Sequence, residues 1–76
     1  MARKTRLDRM SEALVKGIKA VMAMTGMTRE DLANTINVSE ASLYNWLRDP
    51  TKISLKNLNS LEIVMEANHI DWRTFI

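Results

Sequence analysis

Cysteine is absent from this chain, which excludes a disulfide framework and any thiolate metal site and fits a reducing cytoplasm. Glycine occurs only twice, at Gly17 and Gly26, too few for the glycine-rich loop that cradles a nucleotide phosphate. The single histidine, His69, has no metal partner at ligand spacing, and neither HExxH nor a Ser/His/Asp arrangement is present; His69 reads as an exposed or packing residue. No apolar run approaches the ~20 residues of a membrane span. No apolar core of a secretory leader continues the basic start Met1-Ala2-Arg3-Lys4. Strand alternation, internal repeats, long linkers and low-complexity tracts are missing too. These absences leave catalysis no site and predict a protein that is not an enzyme, needs no cofactor or small-molecule ligand, and makes no use of a membrane.

What is present is globular: 76 residues, 46% hydrophobic and 26% charged, enough for one small domain with one core. The net charge of +2 conceals an asymmetry. Residues 1–29 carry seven basic side chains (Arg3, Lys4, Arg6, Arg9, Lys16, Lys19, Arg29) against Asp8 and Glu12, a balance of +5, while residues 30–76 stand at −3. A basic run of this kind is often only a solvated tail; its weight here depends on the segment directly downstream.

Helical periodicity organises the rest. Leu7, Met10, Leu14, Ile18, Val21 and Met22 recur at three- and four-residue steps and predict a first helix from about Arg6 to Thr25, with Lys16 and Lys19 off the apolar stripe. Thr5 to Asp8 forms a capping-box pattern, and Gly26 supplies a stop. A second box, Thr28 to Asp31, opens helix two, which runs to about Ile36. Ser39 caps helix three, which ends near Arg48 because Pro50 disfavours helical geometry at Asp49. Helix four runs from about Ser54 to Ala67, with Leu55, Leu58, Leu61, Val64 and Met65 expected inward and Asn68 expected in the left-handed position after it. A last short turn spans Asp71 to Ile76.

Arg29 to Arg48 (REDLANTINVSEASLYNWLR) is the informative stretch. Ala33 sits where a larger side chain would force two short helices apart, Leu32, Ile36, Val38, Leu43 and Trp46 form their shared apolar contact, and Asn37 marks the turn. Spaced this way, the segment resembles the helix-turn-helix of the repressor and Cro proteins of lambdoid phages and of the wider bacterial Cro/CI-like (XRE) regulators. The likeness continues through the basic loop Asp49 to Ile53, the helix opening at Ser54-Leu55, and Glu66 to Asp71, covering about residues 7–76. It departs where the family usually places glycine and this chain has Asn37. Asparagine tolerates a left-handed backbone, so the departure implies a modest cost in stability and no change of function. The resemblance implies an all-α, compact five-helix lambda-repressor-like domain over residues 7–76, with helices two and three as the helix-turn-helix, preceded by a flexible basic arm over residues 1–6.

In such a motif the second helix enters the major groove, and the face opposite Leu43 and Trp46 meets the bases. That face comprises Glu40, Ala41, Tyr44 and Asn45. Asn45 suits adenine N6 and N7, Glu40 can accept from cytosine N4, and the Ala41 methyl can meet a thymine methyl. For Glu40 a local role at the positive end of the helix dipole is equally open. The resemblance implies phosphate contacts from Arg29, Ser39, Arg48, Thr51 and Lys52; for Arg48 and Thr51, as for Tyr44, an ordinary surface or half-buried role stays open. Ser42 reads as a first-turn or solvent residue and Trp46 as core. Arg3, Lys4 and Arg6 resemble the arms by which some phage repressors and homeodomains reach narrow minor grooves. Trp72, Phe75 and Ile76 suggest a homodimer contact, with capping of the core as the alternative.

The expected function is that of a cytoplasmic, sequence-specific transcriptional regulator of double-stranded DNA, a phage or prophage type of repressor on a two-fold symmetric operator. The repressing sign comes from the resemblance alone. Two alternatives stand beside it: a protein-interaction module such as an antitoxin, and the amino-terminal DNA-binding fragment of a longer repressor.

Overall fold

A computed structural model describes residues 5–76, apart from the side chain of Leu7; the arm residues Arg3 and Lys4 lie outside the described residues. Four α-helices succeed one another: α1 (Arg6–Thr25), α2 (Arg29–Thr35), α3 (Glu40–Arg48) and α4 (Leu55–Ala67). Two 3₁₀ turns, Pro50–Lys52 and Trp72–Phe75, complete the order, and no strand occurs among the described residues. The fold is thus all-α, with the expected fifth helix reduced to the four-residue turn Trp72–Phe75.

Each helix starts where a side chain can satisfy its free amides. Thr5 and Thr28 accept from the amides of Asp8 and Asp31 at 3.1 Å, and each aspartate accepts from the threonine amide at 3.0 Å, completing two capping boxes. Ser39 and Ser54 cap α3 and α4 through the amides of Ser42 and Asn57. Arg6 therefore belongs to the first turn of α1 and not to an arm ahead of it.

Three of the four helix ends carry left-handed residues, while α3 ends at Asp49 (φ −142°) ahead of Pro50. Gly26 (φ 73°) closes α1, its amide donating to the Met22 carbonyl at 2.9 Å. After α2, Asn37 (φ 60°) donates to the Asn34 carbonyl, and Val38 donates to the Ala33 carbonyl at 2.9 Å. This is a Schellman motif, with half-buried Val38 as its apolar seal. The same arrangement closes α4, but with His69 (φ 59°) and not Asn68 in the left-handed position. Asn68 (φ −105°) is the cap instead, its side-chain amide donating to the Val64 carbonyl at 2.9 Å.

One core joins the elements: Ala13, Leu14, Ile18 and Val21 of α1, Leu32 and Ala33 of α2 with Ile36 at its end, Leu43 and Trp46 of α3, Leu61 and Met65 of α4, and Trp72. α2 packs on α3, while α1 packs on α4 and on both 3₁₀ turns. The approach of Trp72 to α1 depends on Gly17, where a Cβ would fall 2.7 Å from the Trp72 Cβ and 2.9 Å from the Met65 Sδ. Leu55 departs from its expected inward position and is 85% exposed. Helical side chains lean toward the amino terminus, so one in the first turn of α4 projects beyond the packed part of the helix. Among the described residues no helix is long and apolar enough to cross a membrane.

Candidate nucleic-acid interface

α3 is nine residues long, about 13 Å, and is held by its inner face. Leu43 and Trp46 are buried between α2 and the rest of the core, and the turn built on Asn37 and Val38 fixes the angle at which α3 leaves α2. Buried Ala33 takes the position where a bulkier side chain would separate the pair. The opposite face, Glu40, Ala41, Tyr44 and Asn45, is exposed.

Two shallow depressions border this face. Arg29, Glu40, Ala41 and Tyr44 line one; Ser42, Asn45, Arg48, Asp49 and Lys52 line the other together with the edge of Trp46. The structure therefore brings Arg29 from the start of α2, and Arg48 and Lys52 from beyond the face, to the two flanks of one exposed helix. Arg48 also borders a groove shared with Lys16 and Lys19 of α1. In the sequence those lysines read only as off-stripe charges, since nothing local links them to α3.

Both hydroxyls expected at a phosphate have local duties. Ser39 Oγ accepts from the Ser42 amide and donates to Ser42 Oγ at 2.9 Å, so it is the cap of α3. Thr51 donates its amide and hydroxyl to Asp49 Oδ1, tying off the turn Pro50–Lys52. That hydroxyl bond, above all, holds the Asp49 carboxyl below its ordinary pKa; burial opposes it, and the Thr51 amide and Lys52 ammonium assist.

Tyr44 carries a feature that sequence spacing half conceals. The Arg29 guanidinium carbon lies 5.0 Å from the Tyr44 ring centroid and that of Arg48 lies 5.8 Å from it. The Arg48 contact follows from helical i,i+4 spacing, whereas that of Arg29 arises only from the packing of α2 on α3.

Of the three carboxyl-terminal residues, Trp72 is 6% exposed and belongs to the core. Its indole Nε1 is buried with no hydrogen-bond partner among the described residues. Phe75 and Ile76 are 41% and 57% exposed. No cluster of three or more His, Cys, Asp or Glu suited to a metal occurs among the described residues.

Neither the curated proteins nor the solved structures yield a match to the chain. The helix-turn-helix family model, in contrast, matches residues 18–72, from the middle of α1 through the start of the last turn. That span takes in the whole of α2, α3 and α4, and the chain belongs to the Cro/CI-like (XRE) helix-turn-helix family of DNA-binding transcriptional regulators.

Proposed function

We propose that this protein is a sequence-specific regulator that places α3 in the major groove of duplex DNA and acts as a repressor of phage or prophage type. The observation that carries the reading is the two-faced character of α3. Leu43 and Trp46 are buried, while Glu40, Ala41, Tyr44 and Asn45 stand exposed with basic residues on both flanks. Asn45 is the adenine reader, with Ala41 meeting a thymine methyl and Glu40 a cytosine amine. Arg29, Arg48 and Lys52 grip the sugar-phosphate backbone on either side, which fixes register without reading sequence. Ser39 supports this as the cap of α3 and Thr51 through its bonds to the Asp49 carboxylate, and any phosphate contact they make is shared with those bonds. Arg6, exposed in the first turn of α1, joins Arg3 and Lys4 in reaching toward the duplex.

Nine residues of recognition helix read only a few base pairs, so specificity calls for two copies on a symmetric operator. Exposed Phe75 and Ile76 are the surface offered to the second copy, while Trp72 is spent on the core. Repression follows from occupancy of the operator.

Selection from a random duplex library at near-physiological salt tests the proposal. A two-fold motif with half-sites about one helical turn apart, roughly 34 Å, is expected. A pool that stays random would transfer the function of Phe75 and Ile76 to a different protein partner and end the operator reading.

A further inference from the structure

Tyr44 is 45% exposed on the outer face of α3, in a position from which it would be expected to read a base. Two guanidiniums instead lie over its ring, at 5.0 Å for Arg29 and 5.8 Å for Arg48. Among the described residues neither arginine is in an ion pair, and neither donates a hydrogen bond to a protein acceptor. Among the described residues the aromatic ring is the partner that the two guanidiniums share. Glu40, which shares the depression with Arg29, forms no salt bridge with it.

From this we infer that Tyr44 is a positioning residue, whose ring holds Arg29 and Arg48 as a paired phosphate clamp spanning the helix-turn-helix. The inference rests on the DNA-binding reading above. A guanidinium lying over an aromatic face keeps its N–H edges free, and those edges match two phosphate oxygens at once. An exposed arginine otherwise samples many rotamers, so a ring that restricts it before DNA arrives reduces the ordering required on binding. The placement also matters. Arg29 is the first residue of α2 and Arg48 the last of α3, so one ring couples grips at the start of the motif and at its end. A carboxylate in the same place would orient the arginines but neutralise the charge that phosphate needs.

Two measurements test this. In the first, binding to a duplex of arbitrary sequence is followed at fixed salt for Tyr44→Phe and Tyr44→Leu, alone and in an Arg29→Ala/Arg48→Ala background. Tyr44→Leu should lose about tenfold in affinity and Tyr44→Phe at most about twofold, because the ring and not the hydroxyl holds the arginines. In the Arg29→Ala/Arg48→Ala background Tyr44→Leu should change nothing further. An equal loss in that background, or a change confined to one base pair of a selected site, would make Tyr44 an independent contact and overturn the clamp.

The second measurement needs no DNA: the arginine Nε–Hε resonances of the free protein. Ring-current shifts of Arg29 and Arg48 should be present in the wild type and in Tyr44→Phe, and absent in Tyr44→Leu. Unshifted resonances in a wild type that binds duplex would overturn the positioning role alone. Shifted resonances in a wild type that binds no duplex would overturn the DNA-binding reading, and the clamp's phosphate role with it.

Discussion

Gly17 lies in the middle of α1 where the chain leaves no room for a side chain. A Cβ there would meet the Cβ of Trp72 at 2.7 Å, and that atom is anchored one bond from the backbone. Alanine is the better helix former by about 1 kcal/mol, but overpacking a tight contact costs about 1 to 3 kcal/mol. Gly17→Ala is therefore expected to lower stability by up to about 2 kcal/mol, read as a fall in the thermal midpoint of roughly 4 to 8 °C per kcal/mol. A higher midpoint would mean that Trp72 does not seat on α1 as described. Nothing near Gly17 in the sequence announces this, since its partner comes from the far end of the chain. Ala33 is legible as a close approach because its constraint lies inside the helix-turn-helix pattern itself. Asn45 carries the opposite kind of constraint, toward a ligand. Its side chain is exposed and forms no hydrogen bond within the described residues, so it is available to a base. Asn45→Ala should relax preference at one position of the selected site, a discrimination of about 1 to 3 kcal/mol, while binding to arbitrary duplex stays nearly constant. Uniform weakening across all sequences would remove it from the base-reading set.

At the scale of elements, the features readable from sequence are those settled within three or four residues. Thr5, Thr28 and Ser39 cap where their spacing to the next amide predicts, Gly26 stops α1, Asn37 adopts the left-handed turn, and Ser54, expected as the first residue of α4, is its cap. The misses at Leu55 and Trp72 come from longer reach, and that at His69 from the local count of the helix end. Leu55 fits the apolar period of α4 yet is exposed, because periodicity does not say how far along a helix the core extends. His69 takes the left-handed place expected of Asn68, because the helix runs through Ala67 and its Schellman bonds from His69 and Ile70 fix the count. Trp72 is open to a dimer role in the sequence, and only its packing on α1 and α4 assigns it to the core. The caps also make a test. The spacing makes Ser39 a cap and the family resemblance places it at a phosphate; its hydroxyl accepts the Ser42 amide at 3.1 Å, so Ser39→Ala should destabilise the protein without DNA by about 1 kcal/mol, whereas Ser39→Gly should cost only a few tenths. Chemical denaturation of the two variants decides it; equal stability of Ser39→Ala and the wild type would return the hydroxyl to phosphate binding alone.

Across the whole molecule the charge asymmetry takes on a direction. The basic excess of +5 in residues 1–29 includes Arg29 on one flank of α3 and Lys16 and Lys19, which share a groove with Arg48. On α4 and the last turn, Glu62, Glu66 and Asp71 gather around another depression, where Arg73 pairs with Glu62 at 3.3 Å. On the proposed reading, a molecule polarised in this way would meet a polyanion with its recognition helix and α1, and each phosphate it neutralised would release counterion. The slope of log affinity against log salt then counts the neutralised phosphates, at roughly 0.9 for each. Arg3 and Lys4 would extend the count from ahead of α1, whose capping box ties the chain down from Thr5 onward. Replacing both with serine should flatten the slope by roughly 0.9 for every phosphate no longer neutralised and leave the thermal midpoint unchanged. A slope that does not move, measured on the same duplex over the same salt range, would confine the interface to α1, α2, α3 and the turn Pro50–Lys52.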